Sequence, residues 1–202
     1  MFVRAEKREK KRRRRNKLSR RKIKMFETGE KIVYGPGGVC TVTGTCVSPF
    51  GGGDLRVFYK LQPLDENGSV FYTPAEGGKA VIRPLVTREE AEKIIAEAPE
   101  CVPLTVEHEK QRRDIYRAAI ATADPREYIR LIITVEHRRI NAMRTHRHIA
   151  VTDTEFERAA RYSLFSELAI VLDKSYGEIE RIFRAALAPV FEPAMNPRPA
   201  DS

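Results

Sequence analysis

The hydrophobic pattern of the chain changes once, near residues 85–87, from the two-residue period of strands to the longer period of helices. Residues 30–84 combine β-branched and aromatic runs with glycine turns, which is typical of strands and hairpins. The remainder carries repeated helix start signals and ends in prolines. We therefore predict an α+β protein, with a strand-rich amino-terminal part followed by a compact all-α carboxy-terminal part.

Five short strands are predicted in the amino-terminal part, at residues 31–34, 39–47, 54–61, 69–73 and 79–83. Five strands in about sixty residues bury their faces by curling into a small barrel or a strongly bent sheet. A five-stranded Tudor- or SH3-like β-barrel is the expected form, and a partly open edge is a docking place for another protein's strand. Of the adjacent aromatic pairs Phe58–Tyr59 and Phe71–Tyr72, one member each is expected to face outward.

Five helices are predicted in the carboxy-terminal part from side chains that cap helix starts. The expected caps are Thr87, Thr105, Asp124, Thr152 and Ser175, with Pro99 ending the first helix and Pro189 beginning a frayed end. The predicted core is apolar: Ile115, Ile129, Leu131, Ile132, Leu164, Leu168, Ile179 and Ile182. The acidic residues Glu167, Asp173, Glu178 and Glu180 are assigned to a solvated helix face.

The net charge of +9 is concentrated at the amino terminus, where residues 1–24 hold 14 Lys and Arg and 2 Glu. We expect this segment to be a disordered basic tail that attracts phosphates without sequence preference. The alternative is that Met25 is the true start, because residues 20–24 resemble a translated ribosome-binding site. The expected organisation is a tail at 1–24, a barrel at 25–86, a helical domain at 87–188 and a Pro-rich disordered tail at 189–202.

Within the folded part, residues 101–151 hold 10 Lys and Arg against 6 Asp and Glu, whereas the flanking segments are acidic. Two basic clusters on neighbouring helices indicate a surface that contacts DNA phosphates with little sequence specificity. The alternative is an ordinary solvated face. The predicted DNA-binding residues are Lys110, Arg112, Arg113, Arg117, Arg138, Arg139, Arg144 and Arg147.

No constellation typical of an enzyme is present in the sequence. The glycine-rich segments lack the Lys and Ser or Thr of a phosphate-binding loop, and His137, His146 and His148 do not have the spacing of metal ligands. We expect no catalytic residue, no metal site and no cofactor. The three cysteines show no paired spacing and no apolar run is long enough to cross a membrane, so we predict a cytoplasmic protein with reduced thiols.

The segments FETGEKIVYGPGGVCTVTG and FYTPAEGG, followed by helices containing VEHEKQRRDIY, VEHRRIN and FSELAIVLDKS, resemble the CarD family of bacterial transcription regulators. The resemblance covers nearly everything from Met25 to Ala188. It implies a Tudor-like domain that docks on the β subunit of RNA polymerase and a helical domain that touches promoter DNA at the melted bubble. It also implies that the protein has no catalytic residues and works by stabilising the open complex.

By this resemblance, polymerase contacts fall on the end of the second strand and on the fourth strand, at Val47, Ser48, Pro49, Phe71, Tyr72 and Thr73. Ser48 and Tyr72 stand where the family has arginines, which favours docking through strand pairing and apolar contact. The chain has no tryptophan, and Lys110 stands where relatives place a tryptophan wedge. The expectation is therefore a weaker activator or a polymerase-bound factor with a different output.

The leading hypothesis is thus a monomeric, polymerase-docked regulator found with the nucleoid. One alternative is a free nucleic-acid-binding protein that acts without polymerase and stacks bases on exposed barrel aromatics such as Tyr59 or Tyr72. A second is a hydrolase or transferase with an unfamiliar set of catalytic residues.

Overall fold

The computed structural model describes residues 26–35, 37–49, 55–64, 68–78 and 80–195, with side chains to Phe191. The predictions for residues 1–24, for Gly51–Gly53 and for residues 196–202 lie outside this part of the chain. The strands are β1 (Lys31–Tyr34), β2 (Gly38–Ser48), β3 (Arg56–Pro63), β4 (Phe71–Pro74) and β5 (Ile82–Pro84). The helices are α1 (Arg88–Glu97), α2 (Arg112–Ala121), α3 (Pro125–Arg144), α4 (Val151–Leu172) and α5 (Tyr176–Met195). The predicted α+β class is confirmed.

The strands form one antiparallel sheet in the order β4-β3-β2-β1-β5. The described strands do not close into a barrel, because β4 and β5 do not pair and each is an edge strand of the described sheet. Both are short, at four and three residues. The sheet bends instead: β2 runs for 11 residues and its register with β3 shifts between Val42 and Gly44, where Gly44 has a φ of 148°.

One face of the sheet carries a small core of its own, centred on Ile32, Val42, Tyr59 and Leu61. Val42 and Leu61 lie directly opposite each other on β2 and β3, so their side chains share this face. Phe26 covers it from the amino-terminal side, because its ring packs edge-on against the Tyr59 ring at 5.9 Å and its amide donates to the Tyr59 hydroxyl. The aromatic contact closes one end of the core without further strand pairing.

The helical part has a separate, larger core, and the predicted apolar positions supply it. Six of these are buried, namely Ile129, Leu131, Ile132, Leu164, Leu168 and Ile179. Ile115 and Ile182 are half-buried at its margin. Phe165 and Phe183 pack their rings 5.2 Å apart where α4 meets α5. No helix of the described residues is both long and apolar enough to cross a membrane.

Three of the predicted helix starts are confirmed. Thr87 and Glu90 form a reciprocal capping box before α1, and Asp124 accepts from the Arg126 amide at the start of α3. Ser175 and Glu178 exchange hydrogen bonds at the start of α5. Each side chain satisfies an amide that the first helical turn leaves unpaired.

The predicted end of the first helix at Pro99 is confirmed, because α1 ends at Glu97, two residues before it. Three other predicted limits are wrong. Thr105 does not cap a helix: a 3₁₀ turn occupies Glu109–Gln111 and α2 begins only at Arg112. α4 begins at Val151 with Ala150 as its cap, two residues before the predicted cap Thr152, and without a capping side chain. α5 continues past Pro189 to Met195, because its apolar face still packs on the helical core there through Val190 and Phe191.

The sheet is joined to the helical part by a small cluster and a buried ion pair. Val33 and Val39 from the sheet pack against Ala123, which precedes α3. The Arg83 guanidinium on β5 donates two hydrogen bonds to Glu167 on α4, at 2.5 and 2.8 Å. Glu167 is fully buried, so its predicted place on a solvated face is wrong. The carboxylate holds the two parts of the molecule together.

Candidate nucleic-acid and partner interfaces

Two of the predicted DNA-binding arginines meet a buried carboxylate where α2, α3 and α4 converge. Asp153 on α4 is 2% exposed and accepts from Arg112 Nη1 and from Arg138 Nε, each at 3.3 Å. The Tyr116 hydroxyl donates to the second Asp153 oxygen at 3.1 Å. Glu109 closes the group from outside at 2.7 Å from a nitrogen of each arginine. We call these five residues the Asp153 cluster.

Both arginines of the Asp153 cluster are occupied by carboxylates. Burial disfavours the charged form of Arg138, but its hydrogen bond to Glu109 and the nearby Asp153 charge raise its pKa overall. The same hydrogen bond lowers the pKa of Glu109. Burial, reinforced by the Asp153 charge, raises the pKa of the Tyr116 hydroxyl. Two positive and two negative side chains therefore balance, and little charge remains for a phosphate.

Arg139 and Arg117 are also bound to carboxylates. Arg139 on α3 pairs with Glu136 and with the buried Glu157, and the hydrogen bond to Glu157 raises the Arg139 pKa. Arg117 lies on the surface and donates to Asp114 at 2.8 Å. Four of the eight residues predicted to bind DNA thus serve other partners in this structure, a fact that local sequence patterns do not reveal.

The other four predicted residues are exposed and, within the described part of the chain, have no carboxylate at ion-pair distance: Lys110, Arg113, Arg144 and Arg147. Lys110 and Arg113 flank Arg112, and Arg144 and Arg147 follow Arg138 along the chain. All four therefore belong to segments that adjoin the Asp153 cluster. We call them the free cations.

Two exposed apolar side chains belong to the same segments, and the sequence reading missed them. Met143 is 58% exposed beside Arg144, and Val151 is 71% exposed at the start of α4. His146, with a left-handed φ of 52°, and His148 lie exposed in the intervening loop. The sequence gives no signal that sets Met143 and Val151 apart from core residues, because their helices are apolar on other faces.

Exposed apolar side chains lie on strands β2, β3 and β4 or directly before them. Val47 on β2 is 65% exposed and lies directly opposite Val57 on β3, which is 40% exposed. Leu55, Val70 and Tyr72 are also exposed. The sequence reading included only Val47 and Tyr72 of these five. Val47 and Val57 share one face of the sheet, whereas Tyr72 lies opposite Lys60 on the other face. We call Val47 and Val57 the apolar sheet patch.

The remaining residues predicted to contact polymerase are less accessible. Pro49 is exposed, whereas Ser48 and Phe71 are half-buried, and Phe71 packs its ring 5.4 Å from that of Tyr34. Thr73 is 2% exposed, so its side chain is not available to a partner. The unpaired side of β4 adds main-chain groups to this surface, because β4 bonds only to β3 within the described sheet.

The expectation that one of Phe58 and Tyr59 faces outward is wrong, because both are buried. Tyr59 belongs to the sheet core, and Phe58 lies opposite Pro74 on the other face. Both faces of the sheet are therefore covered at this point. Among these four aromatics only Tyr72, at 45% exposure, fits a base-stacking surface.

Neither a metal site nor a disulfide is found in the described residues. No group of three or more His, Cys, Asp or Glu side chains there is arranged to hold a metal ion, and the three cysteines are free thiols.

In comparisons with known proteins, no protein-family model matches the chain and no curated protein matches it significantly.

Proposed function

We propose that this protein is a non-enzymatic transcription regulator that docks on the β subunit of RNA polymerase through its sheet and contacts promoter DNA through its helical part. The observation that carries the proposal is the open edge of β4 together with the apolar sheet patch on the neighbouring strands β2 and β3. An open edge offers main-chain hydrogen bonds to a partner strand, and neighbouring apolar side chains supply contact area. The resemblance to the CarD family names the partner.

We further infer that the sheet is a Tudor-like domain. Strands β1 to β4 pair in succession and β5 returns to pair with β1, so both ends of this order are open to addition. The separate core on one face, covered by Phe26, supports a domain that curls without closing. In this proposal the protein is a monomer that works in the cytoplasm, at the nucleoid, without a cofactor.

The DNA contact in this proposal comes from the free cations. Phosphate contacts are independent of base sequence and release counterions, so affinity falls with salt by a slope of about −0.9 per phosphate contacted. Met143 and Val151 add apolar surface among them. The mechanism is linkage: a factor that binds the open complex about tenfold better than the closed one shifts their ratio by the same factor, or about 1.4 kcal/mol.

The docking test measures retention of core RNA polymerase by the immobilised full chain. We expect Val47→Asp to weaken retention at least about tenfold, because a carboxylate replaces an exposed apolar contact and must be desolvated. Val102→Asp is the matched control, since Val102 is 70% exposed but lies between α1 and α2. A chain lacking residues 1–24 removes binding due to the basic tail. Equal retention of polymerase by the two Asp variants would refute the docking surface.

The DNA test compares two arginines one turn apart on α2. Arg113 has no carboxylate partner among the described residues, whereas Arg117 is paired with Asp114. We expect Arg113→Gln to reduce the slope of log affinity against log salt by about one and Arg117→Gln to change it much less. The chain lacking residues 1–24 is used for both variants. Equal salt slopes for the Arg113→Gln and Arg117→Gln variants would show that the free cations do not contact DNA. If the protein binds DNA but does not retain polymerase, the free nucleic-acid-binding alternative is favoured.

A further inference from the structure

A groove of about 680 Å³ lies among α3, α4 and α5. Its volume is in the range of pockets that hold small organic molecules, roughly 300–1,000 Å³. We call it the α4–α5 groove. One side of the groove is apolar and the other is charged. On the charged side, most of the arginines and glutamates are paired with one another.

The apolar side of the groove comes from one face of α5. Phe183, Leu187, Ala188 and Phe191 line it at spacings of four, one and three residues, which places them along a single stripe of the helix. Phe183 and Leu187 are nearly fully buried, whereas Ala188 and Phe191 are half-buried. Glu180 and Arg184 lie on the same helix face, and the apolar surface between them fits a hydrocarbon or aromatic body.

The charged side contains three carboxylates, all of which are paired. Glu157 is 5% exposed and accepts from Arg139 and from Arg161, the latter at 2.8 Å. Glu136 binds Arg139 from the other side. Glu180 pairs with Arg184 at 3.5 Å. No carboxylate of the groove is left to attract a cation.

Arg158 is the exception among the four arginines of the groove. It lies on α4, is exposed, and has no carboxylate within ion-pair distance among the described residues. Its charge is therefore the one uncompensated charge of the lining. An arginine fork binds a carboxylate through two parallel hydrogen bonds.

We propose that the α4–α5 groove binds a monoanionic amphiphile, a carboxylate with a medium-length apolar body. Arg158 holds the carboxylate, and the apolar body lies along the α5 wall. A polyanion fits less well, because the other three arginines are already bound to glutamates. Displacing the buried Glu157 from Arg139 and Arg161 would leave a buried charge unpaired, which is strongly destabilising. A cation meets only the unpaired Arg158. The proposal does not depend on polymerase docking or DNA binding.

The test uses decanoate as the probe, titrated below its micelle concentration into the full chain by calorimetry. Decanol and decyltrimethylammonium carry a matched chain with a neutral or a cationic head. We expect saturable binding of one decanoate, with decanol at least tenfold weaker and the cation without measurable binding. This order reports the charge of the site independently of any activity of the protein.

Two variants locate the site. We expect Arg158→Gln to weaken decanoate at least tenfold, and Ala188→Trp to block the groove and remove binding. Arg181→Gln is the matched control, since Arg181 is an exposed arginine of α5 outside the groove, and should leave decanoate affinity unchanged. Thermal melting of all three variants checks that they fold.

Three outcomes would overturn the proposal. The first is the absence of saturable decanoate binding. The second is equal affinity for decanoate and decanol, which would deny a role to the charge. The third is decanoate binding that folded Arg158→Gln and Ala188→Trp leave intact, because the ligand would then sit elsewhere, for instance on the basic residues 1–24.

Discussion

Replacing Glu167 with Gln should destabilise the protein more than any surface substitution, because this carboxylate joins the sheet to the helices. Glu167 accepts two hydrogen bonds from Arg83 and one from the Val86 amide at 3.0 Å, and none of its surface reaches solvent. Arg83 also donates from Nε to the Ala123 carbonyl at 2.6 Å. Removing the negative charge leaves the guanidinium largely desolvated without a counterion.

The expected cost follows from that burial. Breaking one partner of a buried ion pair typically costs about 3–5 kcal/mol. Gln keeps one acceptor oxygen, and the Arg83 side chain retains 22% exposure, so the lower end applies. We expect Glu167→Gln to lower the free energy of unfolding by about 3 kcal/mol, which reduces the folded-to-unfolded ratio by roughly 100-fold.

Urea denaturation at neutral pH measures this difference. The matched control is Asp114→Asn, which breaks the pair with Arg117 whose side chains are 77% and 62% exposed. That change should cost less than about 1 kcal/mol. In the double variant Glu167→Gln with Arg83→Met the two losses should not add, because the unpaired charge is gone. A loss below 1 kcal/mol for Glu167→Gln alone would show that the pair does not hold the two parts together.

Two further predictions concern Tyr128 and the glycines. Burial raises the pKa of Tyr128 to about 12. Between pH 10 and 12 the Tyr128 hydroxyl therefore ionises in the unfolded chain but not in the folded one, which should lower the free energy of unfolding by about 3 kcal/mol. In pH-dependent melting this decline should be shallower for Tyr128→Phe, and identical curves would contradict the prediction. Gly35→Ala should destabilise by roughly 1–3 kcal/mol, because its Cβ would lie 2.8 Å from the Ala121 carbonyl oxygen, whereas Gly177→Ala meets nothing within 4 Å and should be neutral or stabilising in urea titrations.

Local signals in the sequence predicted local structure well. The capping boxes at Thr87 and Ser175 and the Asp124–Pro125 start depend on residues within three positions of each other, and all three are confirmed. The buried positions of α3 and α4 also follow from helical periodicity. These features are decided within one or two turns, where a sequence pattern carries the necessary information.

Ion pairs between residues far apart in the sequence could not be predicted from local patterns. Asp153 meets Arg112 from 41 residues away, and Glu167 meets Arg83 from 84 residues away. A basic cluster in the sequence therefore counts arginines without showing which of them already have partners. Only the folded chain separates the free Arg113 from the occupied Arg112.

The curvature of the sheet also could not be predicted from the sequence. Phe58 and Tyr59 are both buried, Tyr59 against Phe26, although adjacent strand residues face opposite sides of a sheet and often only one side is covered. Closure of the barrel depends on whether β4 reaches β5, and neither short strand does so. Similarly, apolar packing carries α5 past Pro189.

The shortness of β4 also limits how copies of this protein attract one another. An exposed edge strand is a general template for edge-to-edge aggregation, and long flat edges are the dangerous ones. β4 has four residues and ends at Pro74, which has no amide hydrogen to donate. Two copies that met along this edge would form few hydrogen bonds. Edge-to-edge association, and the fibrils it could start, would therefore be only weakly stabilised.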